Sequence, residues 1–246
     1  MQRKFDPAVP ELMDRPQQVT PELESDLRNI RQLNRYFGSY ALIEHFLRRW
    51  IQPSAQLRVL DLATGSGDIP RLVIDYARKV GATVTVDAID QQESTLEIAR
   101  ALSADYPEIA FKTGDVLLFG CSRGAVSPRR DDETYDIVLC SLALHHFDDD
   151  AAVQLLKRCR ELSRRSVLVS DLRRGLLATV GAYLLTAFVF RDSMTRTDAR
   201  LSAARAFSFR EFRSLAERAG WKTFGHRKFP FARQAIWLES GLTHDL

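Results

Sequence analysis

Cysteine is scarce in this 246-residue chain, with only Cys121, Cys140 and Cys159 present. Their odd number and irregular spacing match no metal or redox motif, which argues against a disulfide framework. They read as reduced thiols in a cytoplasmic protein, and no metal is expected. An excess of charge of one sign is also lacking. Lys and Arg number 35 against 32 Asp and Glu, a net charge of +3. The two signs are interspersed, so no polyanion-binding surface and no nucleic-acid partner is expected. No apolar core of a secretory signal stands at the N-terminus, where residues 1–20 are polar and punctuated by proline. No apolar run reaches comfortable membrane-spanning length either. The nearest, Gly175 to Phe190, is uncharged but short, so stable membrane insertion is not expected. What remains is 45% hydrophobic and 27% charged, ample for the core of a single α/β domain with additions.

One short stretch organises that domain: Val59-Leu60-Asp61-Leu62-Ala63-Thr64-Gly65-Ser66-Gly67-Asp68-Ile69-Pro70. A buried apolar strand ends on a carboxylate. Two glycines follow, where the backbone can bend sharply and approach a ligand without a Cβ in the way. Leu72, Val73, Tyr76, Ala77 and Val80 then recur at helical spacing. Strand, glycine turn and helix form the nucleotide-binding start of an open α/β sheet. A dinucleotide site would carry a third glycine in G-x-G-x-x-G, and here Pro70 stands in its place. Asp61 is poorly placed beside a pyrophosphate and well suited to a cationic amino group. The stretch resembles motif I of class I S-adenosylmethionine-dependent methyltransferases. With Ala63 where many members have a first glycine, it is most similar to the ubiquinone/menaquinone-biosynthesis type and related small-molecule enzymes.

Ahead of this stretch, residues 1–19 with Pro7, Pro10 and Pro16 read as an extended, partly mobile arm. Thr20-Pro21-Glu22 is a helix start, with Leu23, Leu27, Ile30 and Leu33 on one face. Gly38 interrupts it, and a second amphipathic segment runs from Tyr40 to Ile51. Helices here imply, by the resemblance, a lid over the cofactor, with Arg35 and Tyr36 as candidate substrate contacts. Beyond the first helix, Thr83 to Asp90 alternates as a second strand, and Asp90 at its end can accept the ribose hydroxyls of an adenosine. Ile109 to Thr113 is a third strand. Asp115 and Val116 follow it, where the family holds the adenine amine and ring. Gly120 to Glu133 reads as a surface loop.

Tyr135 to Ser141 is the fourth strand and runs into Leu144-His145-His146-Phe147, a second resemblance to small-molecule methyltransferases. The Asn/Asp-Pro-Pro-aromatic sequence of nucleobase methylating enzymes is absent, which argues against DNA or adenine-N6 chemistry. Ser166 to Asp171 is the fifth strand. Gly175 to Phe190 reads as a cap helix over an apolar pocket, with Leu176, Val180, Tyr183, Leu184 and Phe188 in one stripe. Residues 191–206 read as a polar linker to a capping box at Ser208-Phe209-Arg210-Glu211, whose helix stops at Gly220. Trp221 to Phe229 and Gln234 to Glu239 read as a closing antiparallel hairpin.

The expected fold is a Rossmann-like, doubly wound seven-stranded α/β sheet of order 3-2-1-4-5-7-6, its last strand antiparallel. Residues 1–53 form an arm and helical lid, and 54–246 the methyltransferase domain with a cap insertion at about 173–206. The resemblance covers Arg58 to Asp171 by motif and the C-terminal part by pattern. It implies S-adenosylmethionine as cofactor, held by Asp61, Ala63, Thr64, Gly65, Gly67, Asp90, Gln91, Asp115, Val116, Ser141 and Leu142. His145, His146 and Asp171 are the candidates for a base that takes the acceptor's proton. Arg35, Tyr36, Arg173, Tyr183 and Arg196 are candidates for holding a small aromatic, quinone-like or polyketide-like acceptor, methylated on oxygen or carbon. An NAD-dependent oxidoreductase and a non-catalytic cofactor-binding module are the rival readings, and oligomeric state, a homodimer included, stays open.

Overall fold

The computed structural model describes residues 2–120, 134–176, 180–181 and 192–239. Its centre is a seven-stranded sheet of order β3-β2-β1-β4-β5-β7-β6. The strands are β1 (Gln56–Leu62), β2 (Thr83–Asp90), β3 (Ile109–Thr113), β4 (Tyr135–Ser141), β5 (Ser163–Leu172), β6 (Gly225–Phe229) and β7 (Arg233–Glu239). The first five pair in parallel, while β7 runs antiparallel to both β5 and β6. The expected order and the antiparallel ending are both present. Because β1 pairs with β2 on one side and β4 on the other, the chain direction of the crossovers reverses beside β1, and a crevice opens beyond the strand ends there.

Each face of the sheet carries its own apolar layer. On one side α2 (Ser39–Trp50) and α3 (Asp68–Val80) bring Phe46, Leu47, Trp50, Val73 and Ile74 against Val59, Val86 and Leu139. On the other, α5 (Asp149–Leu162) and α7 (Phe209–Arg218) bring Leu155, Leu156, Phe212 and Leu215 against Leu60, Val138 and Val169. These helices are covered on both sides of β1, so its residues Val59 to Leu62 are buried without alternation. Helix α4 (Glu93–Leu102) follows β2.

A third body stands over the strand ends. It consists of α1 (Pro21–Tyr36), α6 (Ser193–Arg205) and the N-terminal arm, and its apolar cluster is small: Leu23, Leu27 and Ile98, with Met13, Ile30 and Met194 packed against them. Helix α1 starts as its sequence dictates, with Pro21 at the first position and the Thr20 hydroxyl accepting from the Leu23 amide. The capping box of α7 is likewise formed, the Ser208 and Glu211 side chains each accepting from the other's amide.

One expectation fails here. Residues 193–205 form a helix and not a linker. Apart from Ala203 its buried residues, Thr195, Asp198, Ser202 and Arg205, are polar, so no hydropathy pattern announces it. The N-terminal arm packs against the body. The Asp198 carboxylate accepts from the amides of Leu12 (2.8 Å) and Met13 (3.0 Å), and Arg3 donates to Phe147 O (2.6 Å) with its guanidinium over the Phe207 ring. The sixth strand is also shorter than expected, beginning at Gly225. Trp221 ahead of it is buried and donates its indole N–H to Leu156 O. Among the described residues no helix is long and apolar enough to cross a membrane.

Candidate active site

Between the strand ends and the third body lies a cavity of about 840 Å³. Asp61, Ala63, Thr64, Gly65, Gln91 and Asp90 line it from the ends of β1 and β2, and Ser141 and Leu142 from the end of β4. Val116 lines it too, but Asp115 is exposed and turned to the Leu117 amide (2.8 Å), outside the lining. Gly67 is likewise not part of the wall. With φ +70° it turns the chain into α3, and a Cβ there would lie 2.8 Å from the Phe111 ring. Its conformational freedom therefore serves packing.

The turn after β1 is built under strain. Ala63 (φ +58°) and Leu142 (φ +56°) both adopt the left-handed region at neighbouring strand ends, which costs a residue with a Cβ about 1–2 kcal/mol. The Asp90 carboxylate holds the turn by accepting from Gly65 N (2.8 Å), and its second oxygen accepts from Gln92 N (3.0 Å). Asp61 is 2% exposed, and its Oδ2 has no hydrogen-bond partner among the described residues. Burial, with Asp68 and Asp90 nearby, pushes its pKa up to about 8. Asp68, first residue of α3, accepts from Asn34 Nδ2 (2.9 Å) and the Tyr40 hydroxyl (3.0 Å), which ties α1 and α2 to the turn.

A cluster of histidines and carboxylates forms another part of the wall. The 3-10 turn Leu144–His146 presents two imidazoles with ring centroids 4.3 Å apart. His145 Nδ1 lies 2.6 Å from Asp171 Oδ1, and the same carboxylate accepts the His145 amide (2.9 Å). His146 Nδ1 lies 2.6 Å from Asp14 Oδ2. Glu11, 2% exposed, faces both rings and accepts from the Ser202 hydroxyl (2.8 Å). Burial alone would lower the pKa of His146, but Glu11 and Asp14 outweigh it and hold it near 10. Two further acids complete the wall. Burial raises Asp26 to about 7 and Asp198 to about 6, and Asp26 Oδ1 accepts from Thr195 Oγ1 (2.7 Å) while Oδ2 is unpartnered among the described residues.

The expected acceptor contacts divide. Arg173 lines the cavity, its Nε buried without a hydrogen-bond partner among the described residues. Arg35, Tyr36 and Arg196 are exposed and outside the wall, because α1 turns Asn34 and Phe37 inward in their place. Tyr183, Leu184 and Phe188 lie outside the described residues, as do Cys121 and most of the expected loop at Gly120 to Glu133. Of the proposed apolar stripe, Leu176 (72% exposed) and Val180 (46%) face solvent, while Gly181 of the same segment lines the cavity. Glu11, Asp14, Asp26, Asp198, Ser202 and Arg233 line the site or hold its lining without having been marked by any motif, and Asp68 lies in the stretch after β1 without having been singled out. Only their buried, polar, helical spacing on α6 could have signalled part of this set.

Comparison with known proteins agrees with this geometry. Residues 59–166 match the family described as a methyltransferase domain. Over 81 residues the chain is 35% identical to 2-phytyl-1,4-naphtoquinone methyltransferase of Thermosynechococcus vestitus, a match spanning 33% of this chain and about a third (35%) of that relative. The fold is similar to an O-methyltransferase family protein from Burkholderia thailandensis (TM-score 0.62, 14% identity, 90% of this chain and 60% of that one). It is also similar to magnesium protoporphyrin IX methyltransferase from Synechocystis PCC 6803 (TM-score 0.53, 17% identity, 92% and 90%). At such identities the likeness is one of fold. Taken with the strand order and the turn after β1, the match over residues 59–166 makes this stretch similar to a methyltransferase domain.

Proposed function

We propose that this protein transfers the methyl group of S-adenosylmethionine to an oxygen or carbon of a small acceptor, aromatic, quinone-like or polyketide-like in character. The observation that carries the reading is Asp61, a buried carboxylate oxygen without a partner among the described residues, at the end of β1 and inside the cavity. An unpartnered buried carboxylate is costly and calls for a cationic ligand group. The rest of the wall fits the same ligand. Gly65 leaves open space where a Cβ would stand, with nothing within 4 Å. Asp61 would hold the amino group and Asp90 the ribose, with Val116 beside the adenine and Ala63, Thr64, Gln91, Ser141 and Leu142 around them. When bound, the cofactor supplies an electrophilic methyl on a positively charged sulfur.

The chain's own residues then have three tasks. They align the acceptor atom, keep water out and remove the acceptor's proton. Residues 1–53 and about 173–206 act as roof and cap for the first two. For the third, His145 with Asp171 stands ready, whereas His146, kept protonated by Glu11 and Asp14, would sit beside the acceptor as a cation. Apolar Leu27, Ile30, Phe37 and Phe231 with Arg173 at their margin give the mixed wall that small-molecule pockets have. The quinone and porphyrin methyltransferases it resembles act on conjugated rings, which supports such an acceptor. The test is mass spectrometry of the purified chain with methyl-labelled cofactor and a metabolite extract. A labelled product supports the proposal. Cofactor binding with no transfer across a broad acceptor panel would favour a non-catalytic module.

A further inference from the structure

We infer that Glu11, His145 and His146 form a binding site for a divalent first-row transition-metal ion, open to the cavity on the acceptor's side. His145 Nε2 lies 3.8 Å from one Glu11 oxygen and His146 Nε2 lies 3.9 Å from the other. One ligand atom from each of the three residues falls within 4.8 Å of the others. These separations are too long for hydrogen bonds and somewhat wider than the spacing of about 3.4 Å between tetrahedral ligands around an ion held at roughly 2.1 Å, so a small inward shift of the three side chains would close the site.

The surroundings of the ligands strengthen the assignment. Each imidazole gives its Nδ1–H to a carboxylate, His145 to Asp171 and His146 to Asp14, both at 2.6 Å. That leaves each Nε2 facing Glu11, and at His146 an ion would take the place of the proton. Ser202 Oγ fixes the Glu11 carboxylate in the same way (2.8 Å). Three ligands each oriented by an outer hydrogen bond is the organisation that metal sites need and that chance clusters lack. Charge points the same way. Glu11 and Asp171 are buried and Asp14 half-buried around the two imidazoles, and a bound cation relieves such an accumulation of carboxylates. Two nitrogens and one carboxylate favour iron, manganese, cobalt or zinc over magnesium or calcium.

The inference rests on the methyl-transfer reading and sharpens it. An acceptor hydroxyl bound to the ion would lose its proton to water: the O–H bond breaks, an O–metal bond is retained, and the oxyanion is kept in place as nucleophile. A divalent ion lowers the pKa of bound water to about 7, and an enol or phenol needs less help. With the ion present, His145 and His146 are ligands, and their Nε2 atoms no longer act as bases.

Cobalt(II) titration of the full chain, stripped with chelator, tests this. The expected result is d–d absorption bands saturating at about one ion per chain. Glu11→Gln keeps the shape of the residue and its bond to Ser202 while removing its charge. It should weaken cobalt binding by at least about tenfold, and Asp14→Asn by about 10–100-fold through the orienting hydrogen bond. S-adenosylmethionine binding, measured by calorimetry, should be unchanged in both variants and in chelator-treated protein, which separates failure of the metal site from failure of the cofactor reading. Identical cobalt spectra for wild type and Glu11→Gln, or no saturable band, would overturn the site. A proton on His146 would then be the charge that balances its two carboxylates.

Discussion

Asp61 is held in a position that costs the empty protein stability. Its folded-state pKa of about 8 lies far above the ordinary carboxylate value of 3.8, so between those values the folded state binds more protons than the unfolded one. The linkage sign follows: this group's contribution is most favourable below about pH 4 and erodes as pH rises toward 8. Asp61→Asn should therefore be more stable than the wild type at pH 8, by up to about 5 kcal/mol and with a higher melting temperature, the advantage being gone near pH 4. The same variant should bind S-adenosylmethionine at least about tenfold more weakly. A melting-temperature difference independent of pH would refute the account. Ala63 makes a second residue-scale case. At φ +58° glycine is free of the Cβ penalty, so Ala63→Gly should stabilise by about 0.5–1 kcal/mol in denaturant titrations, against the usual direction of that change. Asp61, Gly65 and Asp90 were legible in the sequence because strand, acid and glycine lie within a few residues of each other. Glu11, Asp14 and Asp26 were not, since nothing near them in the chain marks a carboxylate that long-range packing will bury.

Among elements, β1 to β5 and helices α1, α3 and α7 could be read from apolar runs and caps, and β7 to within a residue of its start. Helix α6 could not. Hydropathy sees a helix when one face is greasy, and the inward face of α6 is Thr195, Asp198, Ser202 and Arg205. Its stability comes from hydrogen bonds to segments far away in sequence, chiefly Asp198 to the arm and Thr195 to Asp26. Asp198→Ala should release that contact. Hydrogen exchange at the Leu12 and Met13 amides should accelerate by about tenfold or more, the scale of one or two lost charge-assisted bonds, while amides in β1 and β4 keep their protection. Unchanged exchange at Leu12 would show that packing of the small apolar cluster, and not Asp198, holds the arm. The Gly175 to Phe190 reading divides for the converse reason: among its described residues Leu176 and Val180 are turned to solvent while Gly181 lines the cavity, and apolar composition alone does not say which face is inward.

At the scale of the whole molecule, two kinds of cohesion coexist. The sheet and its helices are joined by two extensive apolar layers, whereas the roof of the cavity is joined by a small cluster and a network of carboxylates, hydroxyls and arginines. The sheet order could be anticipated from the motifs because each crossover is local and follows one hand. The roof unites the first twenty residues with α6, and no local rule foretells that meeting. A ligand that touches both bodies should stabilise them together, so saturating S-adenosylmethionine at about 100 times its Kd should add about 2.7 kcal/mol to unfolding and raise the melting temperature accordingly. The polar seam also fixes how the roof answers to temperature. Separating it exposes little hydrocarbon, so its opening carries a small heat-capacity change and is driven by lost hydrogen-bond enthalpy. A greasy hatch loosens in the cold as the hydrophobic effect fades. This one should tighten, and a chilled sample should show Leu12 and Met13 exchanging more slowly relative to their intrinsic rates.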